Sequence, residues 1–298
     1  MPTELFRTND FLVRAVTGFG SSTCMVCFDG LQDVHTLDRP GFGERFFAQA
    51  AIDAIHFVIR DNAWYQYEQM EEALARVAAA LASYDRVLTY GSSMGGYAAI
   101  RFGGRLEADS AVATSPQYSI DARVVPFETR WRDEAKRLDF KVEARFSSGF
   151  ARRSYVFYDP YDPDKRHVDF YRDHTDVIDV RILGCGHSSI GYLAEAGLLP
   201  ECALSLIQGT FDAASFSLKA RQRRRSVAQR YLVLADRSRL LRTRIALTRK
   251  AREIKPDEVP ILIKLGNLLE QDRQFSEAAD CFARAAQIAP DHPLVRDD

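Results

Sequence analysis

A chain of 298 residues, 46% apolar and 27% charged, has room for one large α/β domain plus a small appendage. Its net charge of −1 gives the whole molecule no strong pull toward nucleic acid or anionic membranes. Five scattered cysteines argue against a disulfide scaffold, and no apolar run is long enough to span a bilayer. The N-terminal stretch lacks the basic and apolar regions of a signal peptide, so a cytoplasmic protein with reduced thiols is expected.

Taken in order, Phe11 to Val16 reads as a first strand, broken by Gly18-Phe19-Gly20-Ser21-Ser22. Thr23 to Phe28 is a second, ending in Asp29-Gly30-Leu31. Its Cys24 and Cys27 form a Cys-x-x-Cys that reads as core strand, because no second ligand pair accompanies it. Gly43 to Ala51 is helix-like. Ala54 to Ile59 is a nearly all-apolar strand, as expected where helices cover both faces of a sheet. It ends toward Asn62, Trp64 and Tyr65, and His56 inside it reads as a core residue. Glu68 to Ser83 spaces Met70, Leu74, Val77 and Leu81 at helical intervals. Then come the strand Val87 to Tyr90, the turn Gly91-Ser92-Ser93-Met94-Gly95, and a helix carrying Ala98, Ala99, Ile100 and Phe102. Asp109 to Thr114 is the next strand, closed by Ser115-Pro116. Gln117 to Arg153 interrupts the alternation as one or two helices, either a lid over a site or a surface excursion. Ser154 to Tyr158 is a strand followed by Asp159-Pro160-Tyr161-Asp162-Pro163-Asp164; Val177 to Leu183 is another, followed by Gly184-Cys185-Gly186-His187. A helix interrupted near Gly197 and Pro200 runs from Ile190 to Gln208.

This alternation predicts a mostly parallel sheet with helices on both faces. Ligands bind beyond the carboxyl ends of such strands, where Asp29-Gly30, Asn62 to Tyr65, Ser93 and Ser115-Pro116 all fall. Strand, Gly-x-Ser-x-Gly and helix in succession make Gly91 to Gly95 a nucleophile elbow: the serine sits on a strained turn, and a Cβ at either glycine would meet a neighbouring strand or helix. No lysine follows in the place a phosphate-binding loop needs. A serine hydroxyl needs a base, and the base an orienting acid. His187 is the one histidine after a late strand in a glycine-rich loop, and it is the predicted base; His35, His56, His167, His174 and His292 are less well placed. Asp162 is the favoured acid and Asp159 the second, although either also suits a turn, as Asp-Pro pairs do. Asn62, Trp64 and Tyr65 are candidates for the substrate pocket, with plain packing the alternative for the two aromatics.

These three segments, Gly91 to Gly96, Asp162-Pro163 and Gly184 to His187, resemble the elbow, acid loop and histidine loop of the α/β-hydrolase superfamily over about Phe11 to Gln208. The resemblance implies an α/β-hydrolase fold and the chain order serine, acid, histidine. It also implies an oxyanion hole made by the Met94 N–H and an N–H from Gly30 or Leu31, in a loop that lacks the His-Gly-Gly-Gly pattern of lipases. The implied reaction is two-step acyl transfer from an ester or thioester, and no cofactor is expected. Trp, Tyr and Arg near the pocket suit a small-molecule or carbohydrate acyl ester as substrate. His167, Asp169 and His174 lack a supporting ligand arrangement and read as surface residues, so no metal is expected.

After Gln208 the composition changes. Residues 211–256 crowd Arg221, Arg223, Arg224, Arg225, Arg242, Arg244 and Lys255 into a basic helical stretch with few acids. Poor aromatic interleaving argues for a solvated helix face and against nucleic acid. In 257–298, Leu262, Leu265-Gly266, Leu269, Ala278, Phe282, Ala285 and Pro290 closely resemble a tetratricopeptide repeat, an all-α helical hairpin that implies protein binding or self-association, or a terminal strut. One repeat cannot stack on itself, so it needs a neighbour. Ala251 and Pro256 precede Ala285 and Pro290 by one repeat period, so 211–256 is read as a basic helical linker or a degenerate repeat. The expectation is therefore an α/β domain over 1–210, that linker or repeat, and the hairpin, acting as a serine esterase. The alternatives are a repeat-bearing adaptor on an inactive hydrolase scaffold, or an acyltransferase.

Overall fold

The structure, a computed structural model, describes residues 2–291. The chain divides into two compact units, Met1–Arg181 with Leu204–Ala213, and Ile182–Ala203 with Ala214–Asp298.

The first unit runs β1 (Thr3–Arg7), β2 (Phe11–Val16), β3 (Thr23–Phe28), α1 (Glu44–Gln49), β4 (Asp53–Ile59), α2 (Met70–Leu81), β5 (Arg86–Ser92), α3 (Met94–Gly103), β6 (Ser110–Thr114), α4 (Arg132–Ala135), α5 (Lys141–Arg145), β7 (Arg153–Tyr158), α6 (Asp164–Tyr171) and β8 (Asp176–Arg181). The strands form one sheet in the order β1-β2-β4-β3-β5-β6-β7-β8. The β1–β2 and β2–β4 pairs are antiparallel; the pairs from β4 through to β8 are parallel. β3 and β4 are buried along their whole lengths, which is why both read as continuous apolar runs. The register sets Phe28 against Gly91 and Ser92 against Thr114, so the ends of β3 and β6 flank the end of β5.

Two elements escape the sequence pattern. β1 is a mostly exposed edge strand carrying Glu4 and Arg7, without apolar alternation. α6 is polar in composition yet buries Asp164, His167, Val168 and Tyr171. The 117–152 excursion holds α4 and α5 and is tied down: Phe140, Val142 and Phe146 share the main core with Phe28, Phe57 and Phe102. Buried Arg101 donates to the carbonyls of Tyr118, Glu143 and Phe146 at 3.0–3.3 Å, with its guanidinium over the Tyr97 and Phe150 rings.

The chain continues through α7 (Ser189–Glu195), α8 (Leu199–Ile207), which the unit boundary divides, α9 (Ala213–Arg223), α10 (Ala228–Arg237), α11 (Leu241–Ile254), α12 (Val259–Gln271) and α13 (Phe275–Ile288). In the second unit Ala228, Ala251 and Ile261 form one apolar cluster, and Ile245, Leu265, Leu269, Ala278 and Cys281 another, so α10 to α13 share continuous packing. At Gly266 a Cβ would come within 2.6 Å of the Phe282 ring, which lets α12 and α13 approach closely. Several cations of the basic stretch are answered by acids: Lys219 by Glu201, Lys255 by Glu195 and Arg249 by Glu277. Among the described residues no single helix is long and apolar enough to cross a membrane.

Candidate active site

Ser93 sits between β5 and α3 at φ 53°, ψ −117°, a strained conformation for a residue with a Cβ. As the residue before α3 it would ordinarily cap the helix with its hydroxyl, but it makes no such bond. A Cβ on Gly91 would overlap the backbone of Gly95, and one on Gly95 would overlap the Phe28 carbonyl. The turn is thus wedged between β3 and α3, and only glycine fits on either side of the serine. The Ser93 N–H donates to the Thr114 carbonyl at 2.8 Å, fastening the elbow to the end of β6.

The loop after β6 then turns back on the serine. Ser115 has a positive φ of 48° and donates its N–H to the Phe157 carbonyl at 2.7 Å. Two residues on, buried Gln117 places its amide nitrogen 3.0 Å from Ser93 Oγ. Its backbone is held from behind, since the Tyr171 hydroxyl donates to the Gln117 carbonyl at 2.6 Å and the Tyr118 N–H donates to His167 Nδ1 at 3.1 Å. His167 is a correction to the sequence reading. It is fully buried, not a surface residue, and its Nε2 lies 2.9 Å from Glu128. Burial pushes the Glu128 carboxyl up, but hydrogen bonds from His167 and Arg130 outweigh it and hold the group well below the usual carboxylate range.

The Asp29–Leu31 loop is braced from three directions. Buried Asp29 accepts from Arg39 at 2.6 Å and from the N–H groups of Phe42 and Ile59. Burial still pushes its carboxyl above the ordinary value against the pull of Arg39. Asn62 grips Gln32 at two points, accepting from its N–H and donating to its carbonyl, both at 2.8 Å. Tyr65 donates its hydroxyl to the Asp29 carbonyl at 2.8 Å. A Cβ on Gly30 would stand 3.0 Å from the Ser92 carbonyl, so this loop lies against the elbow. Asn62 and Tyr65, two of the expected pocket residues, thus contact the loop after β3. Trp64 and Tyr65 are buried in the main core, Trp64 packs 5.4 Å from Trp131, and both have positive φ, at 45° and 56°.

In the loop after β7, Asp159 is buried and accepts from the Tyr161 N–H at 3.1 Å. Asp162 accepts from the Asp164 N–H at 3.2 Å and from Arg130 at 3.3 Å. Arg130 also bonds Asp164 and Glu128, joining this loop to the excursion.

His187 belongs to the second unit, half-buried in the turn before α7. Gly184 and Gly186 before it take left-handed backbone, at φ 85° and 58°. Gln229 of α10 donates to the carbonyls of Cys185 and Ser188 on either side.

The other histidines are placed differently. His35 is exposed beside Asp61, His174 is exposed and stacked on Phe150, and His56 is buried in β4; His292 lies outside the described residues. Cys24 and Cys27 are buried thiols of β3, and burial pushes Cys24 up to about 12. Sequence reasoning misses Gln117, Glu128, Arg130 and Gln229, which belong to no short pattern. Only Gln117 has a signal, lying directly past a strand end marked by Ser115-Pro116.

A model described as the alpha/beta hydrolase family matches residues 16–295. No curated protein matches the sequence. Among solved structures, the capsule O-acetyltransferase of Neisseria meningitidis serogroup A aligns at 13% identity over 69% of this chain and 93% of its own, with a TM-score of 0.48. Est1E from Butyrivibrio proteoclasticus aligns at 12% over 70% and 98%, with a TM-score of 0.46. FphF, a fluorophosphonate-binding serine hydrolase of Staphylococcus aureus, aligns at 15% over 60% and 89%, with a TM-score of 0.39.

Proposed function

We propose that this chain, which belongs to the alpha/beta hydrolase family, is a serine acyl hydrolase that cleaves an ester or thioester through an acyl-enzyme. The observation that carries the reading is Ser93 itself, held in a strained backbone by two glycines that cannot be replaced, its hydroxyl withheld from its own helix cap. Strain kept in place by surrounding structure is what a projecting nucleophile requires.

In this reading His187 takes the proton from Ser93 Oγ as the oxygen attacks the acyl carbonyl. Asp162 orients the imidazole and stabilises the imidazolium. The Met94 N–H, at the open start of α3, and an N–H of the Gly30–Leu31 turn hold the oxyanion. His187 then returns the proton to the leaving group, and a water activated by the same imidazole attacks the acyl-enzyme, releasing the acid and restoring Ser93. Topology supports the assignment: the serine and the acid follow β5 and β7 of one parallel sheet, and the histidine loop follows β8 in the chain. The α12–α13 hairpin, with Gly266 against Phe282, fits a tetratricopeptide-like module for a protein partner or a second copy of the chain.

The test is fluorophosphonate labelling, alongside p-nitrophenyl acetate turnover, of the wild type, Ser93→Ala, His187→Ala, Asp162→Asn and Asp159→Asn. Labelling is expected in the wild type, absent in Ser93→Ala, and strongly slowed in His187→Ala and Asp162→Asn. A folded wild type that neither labels nor turns over ester sinks the enzyme reading in favour of the adaptor. A greater loss in Asp159→Asn than in Asp162→Asn reassigns the acid.

A further inference from the structure

The loop that carries His187 turns on two glycines. Gly184 and Gly186 are in left-handed backbone, and the bonds from the Cys185 N–H to Ile182 and from the Ser188 N–H to Cys185 are each 3.3 Å long. Shorter bonds come from α10. The side-chain nitrogen of Gln229, in the first turn of that helix, donates to the Cys185 carbonyl at 2.6 Å and to the Ser188 carbonyl at 2.8 Å. These two carbonyls bracket Gly186 and His187. The chain makes room for this contact on both sides. A Cβ on Gly191 would fall 2.7 Å from Gln229 Oε1, and one on Gly184 would fall 3.0 Å from Arg230 Cγ. Gln229 is itself anchored: its N–H donates to Glu195 at 3.2 Å, Lys255 pairs with the same carboxylate at 2.9 Å, and adjoining Ala228 is buried against Ala251 and Ile261.

We propose that Gln229 is a positioning residue for the base: by clamping the carbonyls before and after His187 it fixes the backbone that carries the imidazole, which Asp162 orients in the proposed mechanism, and the C-terminal helices are thereby part of the catalytic apparatus. The inference rests on the reading of His187 as general base. A base contributes its full rate only when held within hydrogen-bonding geometry, and glycine-rich backbone samples many directions unless it is clamped.

The experiment is a double-mutant cycle on the full chain with wild type, Gln229→Leu, His187→Ala and the double variant. It reads kcat and KM for p-nitrophenyl acetate and the rate of fluorophosphonate labelling, with circular-dichroism melts as fold control. Gln229→Leu is expected to lower kcat and the labelling rate about 10- to 100-fold with KM within about twofold. The same change made in His187→Ala is expected to cost nothing further, because a residue acting through His187 has nothing left to position. If Gln229→Leu fails to fold, Gln229→Glu, which keeps the shape and removes the donors, takes its place. Independently of activity, the ring signals that disappear in His187→Ala are expected to move in Gln229→Leu spectra of 15N-histidine-labelled protein. Wild-type rates in Gln229→Leu, an equal fractional loss in both backgrounds, or unmoved His187 signals overturn the proposal. Unchanged activity in His187→Ala overturns the base assignment, and this proposal with it, and is distinguished from those outcomes because it appears in that variant alone.

Discussion

The side-chain nitrogen of Gln117 stands 3.0 Å from the hydroxyl oxygen of Ser93, in a loop that buries Gln117 completely. Its carbonyl is tied to Tyr171 and the next N–H to His167, which anchors the backbone that carries the amide. The Oε1 of the same amide lies 3.4 Å from Oγ, so both ends of the Gln117 side chain face the hydroxyl. Gln117→Leu keeps the bulk and removes the donor, and is expected to slow fluorophosphonate labelling about tenfold while leaving KM for p-nitrophenyl acetate close to wild type. A labelling rate equal to wild type in a folded Gln117→Leu protein would show that the contact has no part in orienting the serine.

The glycines of the elbow are a matter of space rather than chemistry. A methyl group at Gly95 would overlap the carbonyl of Phe28, and backbone at the centre of a sheet has no rotamer through which to retreat. Gly95→Ala is therefore expected to cost about 3 kcal/mol, at the upper end of the usual range for overpacked core sites. By contrast, Ser93→Ala leaves the same backbone in place and is expected to fold near normally. Urea melts of the two variants check the contrast, and equal midpoints would mean that β3 and α3 can separate to admit a side chain.

Asn62, a pocket candidate by sequence, spends its amide on both backbone groups of Gln32, while Gln32 reaches back to the Gly30 carbonyl at 3.1 Å. The effect is to fix the turn from which the second oxyanion N–H is proposed to come. Asn62→Ala releases both bonds and is expected to lower kcat about tenfold or more, the scale on which a misplaced oxyanion donor acts, with a smaller change in KM. A rise in KM at constant kcat would return Asn62 to the pocket.

The sheet is legible in the sequence because β3, β4 and β5 announce themselves as buried apolar runs, and the elbow because strand, Gly-x-Ser-x-Gly and helix follow one another within a few residues. β1 is not, since this short edge strand offers only the adjacent Leu5 and Phe6 to the core, between exposed Glu4 and Arg7 and beside a register shift, and so shows no alternation. α6 is not, because what it buries is polar: Asp164 answers Arg130 and His167 answers Glu128, partners 34 and 39 residues away. The same holds for the residues around the site. Gln117 reaches the Ser93 hydroxyl and Gln229 two backbone carbonyls, and nothing local in sequence marks a glutamine whose partners lie 24, 41 or 44 residues off.

His56 gives a pH dependence whose sign follows from its surroundings. It is fully buried in β4, its Nδ1 lies 3.1 Å from the Phe42 carbonyl, and a Cβ on Gly41 would press on its ring. Burial drives its pKa down from the ordinary 6.5 to about 4; Glu44 pulls it up and Arg14 pushes it down. The unfolded chain takes up this proton near 6.5, and the folded chain only near 4. Between those values the unfolded state binds more protons, so stability is fully present above the unfolded value, falls as pH drops through the window, and levels off below the folded one. A difference of about 2.5 units corresponds to about 3 kcal/mol at the low end. A glutamine in this place carries no such proton, so His56→Gln is expected to lose a little stability near neutrality but to flatten the decline across the window from 6.5 to about 4. Urea midpoints for both proteins across that range provide the check, and parallel curves would place the acid sensitivity in groups other than this buried imidazole.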